Sequence, residues 1–358
     1  MTTRLRAGII GGGFMGEVHA RSIRIVGGEI AGIASSSLER ARDAAATIGV
    51  DRAANAEELI GDPHIDVIHV CTPNASHVPL ARAAIAAGKH VVCEKPIGVS
   101  RDEATQLAAD VEASDRLLTV PFAYRFHAMT REAQRRIAAH SFGRLTGVTG
   151  VYHQDWLLEP GDDNWRVDAK AGGVSRAFAD IGSHLADLTE FLAGERIVRL
   201  TARTQTVHAE RSGREVTTED LAVLLVEFES GALGTLSISQ VAAGRKNSLS
   251  VEIGGAHETV RFEQENPETL WIGHRGGSAL LQRDPKLIGG DVARLSNVPA
   301  GHPLGYLDAL AAFVGDSYAA MSSGVLPDGL PTVRDGLRAV ELTERVLASA
   351  ASQSWVDA

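Results

Sequence analysis

Three glycines, Gly11, Gly13 and Gly16, stand at the spacing G-x-G-x-x-G directly after the apolar run Leu5–Ile10. That spacing suits a pyrophosphate. Gly11 permits a tight turn off a strand, Gly13 keeps a Cβ away from backbone N–H groups, and Gly16 lets a helix lie against the strand. Phosphates would then rest on the positive end of that helix, at the first-turn N–H groups around Phe14, Met15 and Gly16. With 37 glycines in the chain the spacing alone carries little weight. The strand before it and the helix-compatible stretch Glu17–Ile25 after it turn a plain glycine-rich turn into a dinucleotide site.

Three further segments hold residues able to do chemistry. Lys95, in Cys93-Glu94-Lys95-Pro96, follows a strand-like run. Ligands of open α/β sheets bind beyond the carboxyl ends of the strands, so its ammonium is expected in a cofactor cleft, as an electrostatic and proton-handling group. Taken alone, a lysine at such a place reads better as a surface residue at a strand end. In Asp180-Ile181-Gly182-Ser183-His184 the carboxylate and the imidazole fall one helical turn apart if Asp180 opens a helix. A carboxylate so placed fixes an imidazole's tautomer and supports its protonated form; the plainer reading makes Asp180 an N-cap and His184 a packed helix histidine. Gln154-Asp155-Trp156 and Asn164-Trp165-Arg166 hold two of the four tryptophans. Indole faces pack on the C–H faces of sugar rings while Asp, Arg and Gln bond hydroxyls, and ordinary core packing is the alternative for either Trp.

The second strand, Ile30–Ala34, runs into Ser35-Ser36-Ser37, with Arg40 and Arg42 a turn later. NAD-preferring enzymes usually place an acidic residue at this strand end for the adenosine ribose. Here no carboxylate would repel a 2′-phosphate, and Ser35, Ser36 and Arg40 are candidates to bind one, although the usual neighbouring arginine is replaced by Ser36. The choice between NAD and NADP stays open, tilted towards NADP.

The elements that must position these residues change character along the chain. Strand signals at Leu5–Ile10, Glu29–Ala34, Ile65–Val70, His90–Cys93 and Leu117–Val120 alternate with Ala-rich helical stretches, His77–Ala87 and Asp102–Ala113, the latter opened by Ser100-x-x-Glu103. That alternation implies an N-terminal Rossmann domain, a doubly wound parallel sheet, over residues 1–124. After a helix near Thr130–His140, β-branched runs follow at Leu145–Tyr152, Ile197–Val207, Leu221–Phe228, Leu233–Ser239, Leu249–Ile253 and Thr259–Phe262, with turns such as Ser230-Gly231 and Gly254-Gly255. Residues 125–358 are therefore expected to form an α+β domain with a large, mostly antiparallel open sheet, ended by a helix from Thr332. The 358 residues, 44% hydrophobic and 22% charged, suit two domains with cores of their own. Forty-five acidic against 35 basic residues leave a formal charge of −10 without a basic run, which argues against nucleic acid or an anionic membrane. Cys71 and Cys93 read as buried thiols rather than a disulfide, and no apolar stretch reaches the ~18 residues of a membrane span. With a strand starting close to Met1, a cytoplasmic protein is expected. Thirteen scattered histidines show no paired metal spacing, so no metal is assigned.

Together the strand–GxGxxG–helix unit, Glu94-Lys95-Pro96 and Asp180-x-Gly182-x-His184 resemble the Gfo/Idh/MocA oxidoreductase family. The similarity runs nearly end to end, through Thr72-Pro73-Asn74-x-x-His77, Gly88-Lys89-His90-Val91, Tyr124-Arg125-Phe126 and Gly301-His302-Pro303-x-Gly305-Tyr306. Within the family, the Gln154–Trp156 and Trp165-Arg166 stretches are most similar to those of levoglucosan and pyranoside dehydrogenases, with inositol dehydrogenases also near. The resemblance implies hydride transfer between NAD(P) and a secondary alcohol of a sugar, anhydrosugar or cyclitol. It implies that Lys95 hydrogen-bonds the reacting hydroxyl, that His184 exchanges its proton, and that Asp180 orients substrate or imidazole. Thr72, Asn74, His77 and Glu94 would line the ribose and nicotinamide side of the cofactor, and Arg125, Trp156, Trp165 and Arg166 would contact substrate. A homodimer or homotetramer through the C-terminal sheet is implied as well. Two other classes fit the same fold: an NAD-using glycoside-cleaving enzyme, and a catalytically silent dinucleotide sensor, against which the intact Lys95, Asp180 and His184 set speaks.

Overall fold

Short apolar runs such as Val67–Val70 and His90–Cys93 are buried almost throughout, which requires strands covered on both faces. A computed structural model describes residues 4–358 and builds them that way. Strands β1 (Arg6–Ile10), β2 (Glu29–Ala34), β3 (Ala53–Ala54), β4 (Val67–Val70), β5 (His90–Cys93) and β6 (Leu118–Thr119) form one sheet in the order β3-β2-β1-β4-β5-β6. Every pairing in it is parallel. The strand order reverses beside β1, at the crevice where such sheets bind ligands. Helices Phe14–Ile25, Leu38–Ile48, His77–Ala86 and Arg101–Glu112 make the crossovers. Ser37 and Ser100 cap two of them by accepting the N–H of Arg40 and Glu103.

The second sheet has nine strands: β7 (Leu145–His153), β8 (Ile197–Gln205), β11 (Leu221–Phe228), β12 (Leu233–Ser239), β13 (Ser248–Gly255), β14 (Thr259–Glu263), β15 (Thr269–His274), β16 (Gly277–Gln282) and β17 (Val356–Asp357). A small hairpin, β9 (Glu210–Arg211) with β10 (Arg214–Glu215), stands apart from it. The order is β16-β15-β14-β13-β7-β12-β11-β8-β17, antiparallel except where β12 runs beside β7. Period-two burial is plain in β11: Ala222, Leu224, Val226 and Phe228 face in, while Val223 and Leu225 face out. Helix Ser183–Ala193 covers the inner face, with Leu185 pressed against Gly150 of β7.

Contacts group the chain into two units, residues up to Ala123 with Leu310–Val340, and Tyr124–Ala309 with Glu341–Ala358. A division at 124 with everything later in one domain therefore misses a returning segment. Val120 donates its N–H to Pro331 at 3.1 Å, Thr119 bridges Thr332, and Val333, Ala339 and Val340 join the core built around Ile97, Val120 and Phe122. The edge strand β6, two residues long, gains backbone partners from that segment. Asp335 accepts the N–H of Thr332 at 2.8 Å, at the start of helix Val333–Ser352.

Candidate active site

The glycine loop sorts its three glycines by what surrounds them. Gly11 turns with φ +119°, and a Cβ there would lie 2.3 Å from the Cys71 carbonyl oxygen. A Cβ on Gly16 would lie 2.0 Å from the Gly11 oxygen, whereas one on Gly13 meets nothing within 4 Å. Gly11 and Gly16 are thus needed by the protein itself, and Gly13 leaves room for something outside it. Gly13 caps helix Phe14–Ile25 without a side-chain hydrogen bond, so the donors of the first turn are uncapped by protein side chains. Exposed Phe14 and half-buried Met15 flank that opening. Donors without a cap beside space without a Cβ fit a pyrophosphate.

At the end of β2, Ser35 is half-buried while Ser36 and Arg40 are exposed. Arg40 donates from Nη1 to Ser36 Oγ at 3.3 Å, which holds the guanidinium beside the strand end, where no carboxylate of the Ser35–Ser37 turn opposes an anion.

Beyond β4 and β5 the loops are tied together from within. His77, almost fully buried, places Nδ1 2.8 Å from the Pro96 carbonyl and Nε2 2.7 Å from the Thr72 carbonyl. Burial lowers its pKa despite those acceptors. Both ring nitrogens face main-chain carbonyls, and a neutral imidazole donates to one of them, so His77 ties a loop end in place beside Thr72 and Pro96. Ser76 Oγ donates to Thr72 Oγ1 at 2.7 Å, and Asn74 is buried in the same turn. Glu94 also faces inward on one side: Oε1 lies 3.0 Å from Nε2 of His19, a residue the sequence reading passed over, and Oε2 accepts the Lys95 N–H at 3.2 Å. Cys71 and Cys93 are both free, and burial pushes both thiols up in pKa.

In the second unit Asp180 does not cap a helix. It lies within a π-helical turn, Phe178–Gly182, that runs on into helix Ser183–Ala193 with His184 in its first turn. Such turns widen the helix locally and re-aim side chains, often at functional sites. The Asp180 carboxylate accepts from Arg166 Nε at 3.2 Å and from Gln240 Nε2 at 3.0 Å. Gln240 directly follows β12, with no spacing in the sequence to mark it. Arg166 lies 4.4 Å from the Trp165 ring centroid, so the three candidates Trp165, Arg166 and Asp180 meet. His184 is buried with its ring 5.0 Å from Tyr124. The Tyr124 hydroxyl bonds Tyr152 at 2.6 Å and accepts from Asn247 at 3.2 Å. Gln154 donates to Asn247 at 2.8 Å and accepts from Trp156 Nε1 at 2.8 Å. Trp156 also packs on the Leu157, Val167 and Val216 cluster, so its indole is half core.

Arg125 is held by an ion pair. Its guanidinium is buried, donates from Nε to Asp187 at 2.8 Å with a second bond from Nη2, and lies 5.0 Å from the Phe191 ring. A bidentate pair this enclosed fixes the guanidinium on Asp187. The signal for it was present, since Asp187 follows His184 by three residues on the same helix.

A glycine loop that needs an outside occupant, followed by a sheet domain bearing an aspartate and a histidine on one widened helix, is the equipment of a two-domain nucleotide-dependent oxidoreductase. Residues 5–122 match the model of an oxidoreductase family with an NAD-binding Rossmann fold, and residues 130–261 match that family's C-terminal domain. The chain belongs to the Gfo/Idh/MocA family. It is 28% identical to the levoglucosan dehydrogenase of Pseudarthrobacter phenanthrenivorans, over 99% of this chain and 98% of the relative. A levoglucosan dehydrogenase solved with NADH and levoglucosan superposes with a TM-score of 0.93 at 27% identity, covering 99% of each chain. An oxidoreductase domain protein from Kribbella flavida gives a TM-score of 0.91 at 30% identity, over 100% of this chain and 99% of that one. An inositol dehydrogenase homologue from Azotobacter vinelandii, solved with NADH and myo-inositol, gives 0.88 at 27%, over 99% and 98%.

Proposed function

We propose that this chain transfers a hydride between NAD(H) and a ring carbon of a sugar, anhydrosugar or cyclitol that carries a secondary hydroxyl or ketone. The observation that carries the reading is Asp180 on a π-turn that runs into the helix bearing His184, with Arg166 bonded to the carboxylate and stacked on Trp165. The relatives named above act on or bind levoglucosan and myo-inositol, both polyhydroxylated rings. When bound, the nicotinamide supplies the hydride acceptor or donor. Lys95 hydrogen-bonds the reacting hydroxyl and stabilises negative charge that grows on its oxygen. His184 takes or returns the hydroxyl proton, and Asp180, held by Arg166 and Gln240, orients the ring or the substrate. Trp156 and Trp165 offer ring faces to C–H groups, and Arg166 offers donors to hydroxyls.

NAD(H) is the cofactor read from the family. NADP is kept as a second possibility on one observation: Arg40 is held at Ser36 with no carboxylate in the strand-end turn. A cytoplasmic location belongs to the same reading, supported by two free cysteines. Among the described residues no helix is long and apolar enough to cross a membrane. A homo-oligomer formed through the outer face of the nine-stranded sheet is also proposed, since Val223, Leu225 and Leu233 stand exposed there at 49%, 49% and 61%.

The test is a screen of sugars, anhydrosugars and inositols, each with NAD and with NADP, read by reduced-nicotinamide absorbance. Turnover with at least one polyhydroxylated ring is expected. Release of an aglycone with no net absorbance change would favour the glycoside-cleaving alternative, and tight dinucleotide binding with no turnover at all would favour the silent sensor.

A further inference from the structure

A line of buried titratable side chains crosses the first unit, and nothing in the reaction above uses most of it. His19 on helix Phe14–Ile25 and His69 on β4 are both fully buried, and they meet Nδ1 to Nδ1 at 2.8 Å. At one end His19 Nε2 lies 3.0 Å from Glu94 Oε1. At the other, His69 Nε2 lies 2.8 Å from the hydroxyl of Tyr318, in helix Tyr306–Ser323. Four residues from four separate elements of the chain thus join in one hydrogen-bonded row.

Counting donors and acceptors sets its direction. A neutral imidazole carries one N–H and one lone pair, and an ionised carboxylate only accepts. With His19 neutral and Glu94 ionised, His19 donates to Glu94 from Nε2 and accepts at Nδ1. His69 must donate from Nδ1, which leaves its Nε2 as an acceptor for the Tyr318 O–H. Every hydrogen in the row points towards Glu94. Burial holds His69 well below the usual imidazole range and raises the Tyr318 phenol, so the first stays neutral and the second stays a donor. Reversing the row, by a doubly protonated His19 or a protonated Glu94, would make His69 Nε2 a donor and turn the phenolic hydrogen away from it. The other oxygen of Glu94 accepts the main-chain N–H of Lys95 at 3.2 Å, so the orientation of this carboxylate bears directly on where Lys95 begins.

We propose that Tyr318, His69 and His19 are positioning residues that form a tautomer relay. The Glu94 carboxylate fixes His19 as the Nε2–H form, His19 fixes His69 as the Nδ1–H form, and the Tyr318 O–H closes the row on His69 Nε2, so that a doubly hydrogen-bonded imidazole holds Glu94 next to Lys95. The link to turnover rests on the role given to Lys95 above; the relay itself does not. It assigns a task at the active-site loop to a tyrosine more than two hundred residues away in sequence.

The test is made on the full chain by NMR with 15N-labelled histidine, without and with NADH. In the parent protein His69 is expected as the neutral Nδ1–H form and His19 as the neutral Nε2–H form. Tyr318→Phe removes one hydroxyl from a packed ring, and it should move the His69 Nε2 signal, whose lone pair loses its donor, while His69 stays Nδ1–H because His19 still accepts from it. His69→Gln keeps one acceptor and one donor across the gap, whereas His69→Leu keeps neither. In the oxidation assay Tyr318→Phe and His69→Leu should lower kcat by about 3–10-fold with sugar KM little changed, and His69→Gln should restore most of the loss. A protonated His19, an Nδ1–H form of His19, or a His69 Nε2 signal unmoved in folded Tyr318→Phe would each overturn the relay. So would His69→Gln impaired as deeply as His69→Leu. If no polyol is oxidised at all, the functional reading fails while the NMR result still decides the relay.

Discussion

In the reaction proposed above, Lys95 and His184 handle the hydroxyl proton. Lys95→Met keeps most of the side-chain stem without the ammonium, and His184→Asn keeps polarity without a group that titrates near neutral pH. Each is expected to lower kcat by about 10²-fold or more in stopped or continuous absorbance assays. If they serve one proton, the double variant should fall far short of the product of the singles. Near-normal turnover in Lys95→Met would overturn the proposed chemistry. Two arginines once grouped as substrate contacts should now separate. Arg125→Ala leaves Asp187 buried without its pair and should destabilise by about 3–5 kcal/mol, seen as a fall in Tm. Arg166, three-tenths exposed and paired with Asp180, should cost less than about 1 kcal/mol as Arg166→Ala. Its loss should appear in sugar turnover, with dinucleotide affinity kept within a few-fold.

At the scale of elements, the turn from β1 into helix Phe14–Ile25 makes a contrast available within three residues. Gly16→Ala would force a Cβ to 2.0 Å from the Gly11 carbonyl, so the turn must open, and both Tm and nucleotide affinity should drop. Gly13→Ala meets no protein atom. The variant should therefore melt like the parent, yet bind NADH more weakly by titration fluorescence, because the added methyl enters the space kept for the phosphates. Equal melting and equal binding in Gly13→Ala would mean that the phosphates lie elsewhere. The π-turn at Phe178–Gly182 is the other element with a function-bearing shape. An i,i+4 spacing places Asp180 and His184 near one another, but the widened turn was not legible because π-turns arise from packing and hydrogen-bond competition rather than from a local residue pattern.

For the molecule as a whole, the chain's return matters most. Residues 1–124 hold every sequence signal of a Rossmann domain, yet the segment Leu310–Val340 supplies core residues, a backbone partner for Val120 and the Tyr318 phenol. A fragment of residues 1–124 is expected to show no cooperative thermal transition by circular dichroism; a sharp melt resembling the parent's would show that the returning segment is dispensable. The exposed apolar residues on the outer face of the nine-stranded sheet lead to the last expectation. Leu225→Lys should shift the protein to a smaller species in sedimentation or light scattering, with little loss of Tm for that species, because Leu225 is an outward-facing position in β11.

Local pattern was enough for a large part of this protein. The glycine spacing, the alternation of strands and helices before residue 120 and the β-branched runs after 145 each reflect interactions between residues near in sequence, or a period imposed by one buried face. Family likeness added Lys95, Asp180 and His184 as a set. Other features depend on residues that meet only when distant elements pack. Helix Tyr306–Ser323 has no counterpart in the sequence reading although its buried Leu310, Phe313, Val314 and Ser317 fall at helical spacing; β16, an edge strand, has none because its side chains are largely exposed. Arg125 meets Asp187, and His77 meets the Thr72 and Pro96 carbonyls, through contacts that no local pattern announces. Gln240 on Asp180, and Tyr318 behind His69, are pairs separated by 60 and 249 residues. A one-dimensional pattern reports which face of an element is buried; which groups share a hydrogen bond inside is decided by tertiary packing, because a buried polar group takes whatever partner the fold brings within reach.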